Sequence, residues 1–347
     1  MKLKPINEQV IVLTGATSGI GLVTARMAAD KGAKVVLAAR SDEALTQLEK
    51  QINNNGGEAL AVPADVSSVG DLQAVGAAAL DRFGNFDTWV NNAGVSIYGR
   101  LEEVTNEDSR QLFETNFWGV VNGSLIAARN LKINGGALIN IGSTLSDRAI
   151  PLQGMYSASK HAVKGFTDAL RMELEAEEAP ISVTLIKPAA IDTPYKEHAK
   201  NYLDVQPENP PPVYAPETVA EAILYAAENP VRDRFVGARG KIMSLAGKFA
   251  PGLTDMYMEK AMIEGQQTDV PSTSRPFEGL YAPQDQRLAE RGGYEGHVAE
   301  SSIYTRASLH PLLTGSALAL SVGGLIYALS KGIGSSAVRS SRTETDH

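Results

Sequence analysis

The chain contains no cysteine. Disulfides, thiolate nucleophiles and cysteine-ligated zinc are therefore excluded, which suits a reducing compartment. Histidine is scarce too. His161, His198, His297, His310 and His347 are the only five, and none stands at H-x-x-x-H or H-E-x-x-H spacing. That pattern gives no reason to expect a metal. Runs of lysine or arginine are also missing. With a net charge of −8 and a pI near 5.3, the chain has no electrostatic grip for nucleic acid. The opening MKLKPINEQVIVLTG lacks the h-region and cleavage site of a secretion signal, so a cytoplasmic location is expected.

What the chain does have is alternation. Apolar runs at 10–14, 35–39, 59–63, 88–90, 137–141 and 181–186 read as buried strands. Helical patterns separate them at 20–31, 42–53, 69–83, 106–131 and 155–178, several closed by glycine or proline. Strand–helix repeats at this pitch predict an α/β fold with helices on both faces of a parallel sheet. A TIM barrel shares the alternation. The glycine turn after the first strand favours the open, doubly wound Rossmann-type sheet. Beyond 189 the pattern loosens, and Pro207, Pro210, Pro211, Pro212 and Pro216 imply an irregular loop. A helix at 217–228, a last strand at 234–243 and a helix at 249–267 are expected, then a polar arm over 268–307. The domain reading is a nucleotide-binding catalytic domain at 1–245, an arm at 246–307, an apolar helix at 308–330 and a disordered tail at 331–347.

Thr14-Gly15-Ala16-Thr17-Ser18-Gly19-Ile20-Gly21 lies between the first strand and its helix. Glycines there let the backbone approach a pyrophosphate, and the helix N-terminus offers free N–H groups and a positive dipole end. The second strand ends at Ala39, and Arg40 follows where an acid would bond the 2′-hydroxyl of NAD. An arginine without that acid suits a 2′-phosphate, so NADP(H) is favoured over NAD(H). Asp65 follows the third strand and suits either the adenine amino group or a helix cap.

Tyr156 and Lys160 stand four residues apart, and Ser143 precedes the tyrosine by thirteen. Upstream lie Asn91-Asn92-Ala93-Gly94 and Asn116. With the glycine turn, this ordered set resembles the classical short-chain dehydrogenase/reductase family over roughly the first 240 residues. The resemblance implies hydride transfer between a nicotinamide cofactor and a carbonyl or secondary alcohol. Tyr156 becomes the general acid or base, and Lys160 favours its phenolate and holds the nicotinamide ribose. Ser143 polarises the substrate oxygen, and Asn116 anchors a water. Asn91 braces the sheet. Cofactor contacts are implied at Gly15, Thr17, Ser18, Gly19, Ile20, Gly21, Arg40, Asp65, Val66, Asn92, Ala93, Gly94, Tyr156, Lys160, Pro188 and Thr193. One departure stands out: Pro188 is followed by Ala189, where the family often has glycine, and alanine restricts the backbone.

The segments that the resemblance implies face the substrate, with their neighbours, offer Ile97, Tyr98, Leu145, Ile150, Leu152, Met155 and Tyr195, a lining that suits an apolar small molecule. A homo-oligomer is expected. The uncharged run LLTGSALALSVGGLIYAL at 312–329 reaches the lower length limit of a membrane-spanning helix and carries Gly315, Ala319 and Gly323 at four-residue spacing. Membrane association is expected there; a soluble helix packed on the domain or on a second subunit is the alternative. A catalytically silent NADP-binding sensor or scaffold is the competing functional class, and its usual mark is a lost tyrosine or lysine. Both residues are present here.

Overall fold

The computed structural model describes residues 1–272, 279–283 and 288–309. Its centre is a seven-stranded parallel sheet. The strands are β1 (Val10–Thr14), β2 (Lys34–Ala39), β3 (Glu58–Pro63), β4 (Thr88–Asn91), β5 (Gly136–Ile141), β6 (Ile181–Pro188) and β7 (Asp233–Val236). Their spatial order is 3-2-1-4-5-6-7, the doubly wound topology expected from the alternation. Every residue of β1, β4 and β6 is buried, as helices on both faces require. The order reverses between β1 and β4, so a crevice opens at their C-terminal ends.

Helices α1 (Gly19–Asp30), α2 (Asp42–Asn54) and α3 (Val69–Phe83) follow the first three strands. Ser41 and Ser68 cap α2 and α3 by accepting the N–H groups of Ala44 and Asp71. The remaining large helices are α4 (Asn106–Phe113), α5 (Gly119–Asn134), α6 (Gly154–Ala176) and α7 (Pro216–Glu228). Trp89, Phe86, Leu138 and Leu72 fill the core on one face of the sheet.

The single helix expected at 106–131 is interrupted. A π-helical turn, Glu114–Trp118, separates α4 from α5. The extra residue in that turn rotates the register and carries Asn116 to a fully buried position. The strand expected at 234–243 stops at Val236, because Gly237, at φ +96°, turns the chain into α8 (Ala238–Phe249). The helix expected at 249–267 divides into α9 (Pro251–Tyr257) and a π-helical turn, Met258–Met262.

The arm at 268–307 is not a free linker. It holds strands Gln267–Pro271 and Val298–Ala299, which pair with Val205–Pro207 and Val213–Tyr214, and the start of α10 (Ile303–Leu309). Residues Met1–Thr305 form one compact unit. Of the second unit, Arg306–His347, only residues 306–309 are described. The apolar run at 312–329 lies outside the described residues. Among those described, no helix is long and apolar enough to cross a membrane.

Candidate active site

The glycine turn is held from below by a second turn. Thr14 Oγ1 donates to Val90 O at 3.3 Å and accepts the N–H groups of Asn92 and Ala93 at 3.0 and 3.1 Å. Asn92 Nδ2 donates back to Thr14 O and Gly15 O at 3.0 and 3.2 Å. Gly15 and Gly19 adopt φ of +67° and +50°, backbone that a side chain would strain. A Cβ at Gly21 would stand 2.0 Å from Gly15 O. Only glycine lets α1 begin so close to β1, and the N-terminus of α1 then faces the crevice. Asn91 lies in the sheet itself, donating to Asn140 Oδ1 at 2.9 Å and Ser124 Oγ at 3.0 Å while accepting from Trp89 Nε1 at 2.8 Å.

The crevice contains a cavity lined by Gly15, Thr17, Ser18, Gly19, Ile20, Gly21, Arg40, Asp65, Val66, Asn92, Ala93, Gly94 and Thr193. The residues expected around the adenosine and pyrophosphate therefore share one wall. Arg40 Nη2 donates to Gly279 O at 2.6 Å. Burial lowers the pKa of its guanidinium, and the Asp65 carboxylate opposes that shift. Asp65 Oδ1 accepts from the N–H and hydroxyl of Ser67 at 2.9 and 2.7 Å. The cap of α3 is Ser68, so Asp65 does not serve in that position.

The part of this cavity that sequence reasoning missed comes from the arm. Gly279, Pro283 and Ala289 line it, and Ala289 O accepts from Gly19 N at 2.8 Å. Glu290 pairs with Arg26, and the N–H groups of Gly292 and Tyr294 both donate to Asp192 Oδ1 at 3.1 Å. These are main-chain or single side-chain contacts over long sequence separations. They leave no periodic signal in an otherwise polar, glycine-rich stretch.

A second cavity shares Ile20, Asn92, Gly94, Thr193 and Tyr195 with the first. Ser143, Tyr156, Lys160 and Pro188 line it. Ser143 follows β5 and caps a short turn, accepting from Leu145 N at 3.1 Å, while its own N–H is held by Ser146 Oγ at 3.1 Å. Its O–H remains able to reach Tyr156. Tyr156 and Lys160 project from one face of α6, one turn apart. Burial pushes the Tyr156 phenol up, and hydrogen bonds with the hydroxyls of Tyr195 and Ser143 pull it back. Lys160 Nζ donates to Ile141 O at 2.9 Å and lies 5.6 Å from the Tyr156 ring centre. Burial pushes its ammonium down to about 8.

Asn116 stands behind this cavity and is not part of its lining. Its side chain is engaged: Oδ1 accepts from Val95 N at 2.8 Å, and Nδ2 donates to Val95 O at 2.9 Å and Ser159 Oγ at 3.2 Å. Ala189 takes its place without left-handed backbone and donates its N–H to Val236 O at 2.9 Å. The missing glycine therefore costs the loop nothing there.

Among the expected substrate-facing residues, Leu145, Ile150 and Tyr195 line the cavity, joined by Ala190, Ile191 and Pro210. Ile97 and Tyr98 pack behind them, Tyr98 meeting the Tyr195 ring edge-on at 6.5 Å. Leu152 and Met155 are not in the lining. Gln153 is, at the end of the expected segment 144–153 and at the N-terminus of α6, three residues before Tyr156.

A model of the short chain dehydrogenase family matches residues 9–203. The chain belongs to the short-chain dehydrogenase/reductase family. It is an oxidoreductase, and a small-molecule substrate and a nicotinamide nucleotide are what this family takes. The uncharacterized oxidoreductase YxnA of Bacillus subtilis is 48% identical over 322 residues, covering 92% of this chain and 90% of that protein. The 11-beta-hydroxysteroid dehydrogenase A of Sesamum indicum is 36% identical over 187 residues, covering 53% of each chain. Among solved structures, an alcohol dehydrogenase of Thermococcus sibiricus complexed with 5-hydroxy-NADP superposes with a TM-score of 0.58 at 28% identity. It covers 65% of this chain and 94% of that one.

Proposed function

We propose that the protein is an NADP(H)-dependent oxidoreductase that interconverts a carbonyl and a secondary alcohol on a largely apolar small molecule. The observation that carries this reading is the border that the two cavities share. The glycine turn and Arg40 line one, Ser143, Tyr156 and Lys160 line the other, and Ile20, Asn92, Gly94 and Thr193 border both. The dinucleotide suits the first cavity because Gly15 and Gly19, at φ +67° and +50°, and Gly21, packed under Gly15 O, bring the N-terminus of α1 close to β1 at the crevice.

When bound, the nicotinamide supplies or accepts the hydride at the substrate carbon. The chain's own residues handle the oxygen. Ser143 donates a hydrogen bond to it, stabilising negative charge as it develops. Tyr156 transfers its phenolic proton to that oxygen in reduction and takes it back in oxidation. Lys160 bears a positive charge at neutral pH and stabilises the phenolate left on Tyr156. One hydride and one proton therefore convert the carbonyl to the alcohol, and the phenolate is reprotonated from solvent.

The preference for NADP(H) rests on Arg40, which follows β2 at the place where an acid would take a ribose hydroxyl and lines the first cavity. The apolar part of the substrate meets Leu145, Ile150, Ala190, Ile191 and Tyr195. A panel of ketones and secondary alcohols, followed by NADPH absorbance with the full-length protein, tests the reading. Turnover of at least one pair that is lost in Tyr156→Phe is the expected result. Turnover that survives this change overturns it.

A further inference from the structure

Tyr195 sits beside Tyr156, and a buried chain of side-chain amides stands behind it. The two tyrosine rings meet edge-on, their centres 5.5 Å apart, and the Tyr195 hydroxyl lowers the Tyr156 phenol against the upward push of burial. Tyr195 Oη donates to Gln153 Oε1 at 3.1 Å. Gln153 Nε2 donates to Gln266 Oε1 at 2.7 Å. Gln266 Nε2 donates in turn to Met262 O at 2.6 Å and Pro151 O at 3.0 Å. Gln266 is 0% exposed and shut off from solvent, while Gln153, 5% exposed, borders the cavity.

The direction of every bond in this chain follows from its far end. Carbonyl oxygens only accept, so Pro151 and Met262 orient the Gln266 amide with its nitrogen toward them. Its oxygen must then face Gln153, which turns the Gln153 nitrogen toward Gln266 and the Gln153 oxygen toward Tyr195. That oxygen also accepts from Ser96 Oγ at 3.4 Å. Gln153 thus offers Tyr195 an acceptor and no donor. Just before Gln153, Leu152 holds a left-handed backbone at φ +63°, unusual for a leucine and costing about 1 kcal/mol or more. Its carbonyl accepts from Gly99 N at 2.8 Å, which helps to hold the chain in that conformation as it delivers Gln153 inward.

We infer that Gln266 and Gln153 are positioning residues that set the Tyr195 hydroxyl against Tyr156, where it supplies a second hydrogen bond to the Tyr156 phenolate. The inference rests on the proposed role of Tyr156. While Tyr156 is protonated, the Tyr195 O–H rests on Gln153. Once Tyr156 has released its proton, the Tyr195 O–H rotates about its C–O bond and donates to the phenolate. No proton leaves Tyr195, and Gln153 Oε1 retains the bond from Ser96. The charge-assisted bond is the stronger of the two, so its effect falls on the anionic form of Tyr156. Gln266 lies beyond the residues matched by the family model, so a segment outside the family core tunes the central acid.

The test is the titration of Tyr156 in full-length protein labelled with ¹³C at tyrosine Cζ and saturated with NADP⁺. The resonance absent from Tyr156→Phe is the reporter. A hydrogen bond to a charged group predicts that its midpoint rises by about one pH unit in Tyr195→Phe. The same direction is expected in Gln266→Met, which leaves Tyr195 in place and removes only the far anchor. Tyr195→Phe keeps the ring packing, so it remains decisive should Gln266→Met fold poorly. An unchanged midpoint in Tyr195→Phe overturns the inference. So does a midpoint that moves in Tyr195→Phe but not in a folded Gln266→Met, since Gln266 would then position nothing. Failure to bind NADP⁺ would instead count against the proposed function, and the same comparison in the cofactor-free chain would still decide the inference.

Discussion

Replacing Gly21 with alanine puts a methyl carbon 2.0 Å from Gly15 O and 2.7 Å from Asn92 Nδ2. Real Cβ atoms do not come within 3.0 Å of a neighbour, so the carbonyl and the methyl must separate by about 1 Å. Neither side yields cheaply. Gly15 O is held by Asn92 Nδ2, and Gly21 lies in the first turn of α1. Overpacking of this kind costs about 1–3 kcal/mol, which lowers the melting temperature by about 2–8 °C. The same displacement moves the N–H groups that would face the pyrophosphate. Loss of one hydrogen bond to a charged group is worth roughly tenfold to hundredfold in affinity. Fluorescence titration with NADPH, run beside thermal melting, reads both effects. Gly165→Ala is the control, because a Cβ there meets nothing within 4 Å. If Gly21→Ala binds NADPH as tightly as the unmutated protein and melts at the same temperature, the close approach of α1 to β1 is not what shapes the cofactor cradle.

Three further outcomes follow from the site. Tyr156→Phe removes the transferable proton while keeping the ring, so turnover in the ketone and alcohol panel should fall by about 10²–10⁴-fold with NADPH affinity retained. Arg40→Ala should narrow the preference for NADPH over NADH by about tenfold or more, read by titrating both cofactors, and equal affinities in the unmutated protein would refute the assignment. Burial pushes Lys160 down to about 8, so its ammonium is lost as pH rises through that value. Support for the Tyr156 phenolate goes with it, and kcat for ketone reduction should decline on the alkaline side of about pH 8, as a pH–rate profile would show.

Sequence alone determined what is local or periodic. Buried apolar runs alternating with amphipathic helices dictated the parallel, doubly wound sheet, because each pattern can be satisfied only with helices on both faces. The glycine turn after β1 was legible because its steric need is set by immediate neighbours. Tyr156 and Lys160 were legible as a pair because four residues make one helical turn. Tertiary structure decided what depends on distant partners. The π-helical turn that buries Asn116 comes from one extra residue whose place no periodicity marks. The arm reads as a linker in sequence, yet Gly279 reaches Arg40 across 239 positions and Gln266 reaches Gln153 across 113. Such contacts are single hydrogen bonds between groups that look, in sequence, like ordinary surface polarity. Burial itself is a property of the folded packing, and it is burial that lowers Lys160 and raises Tyr156.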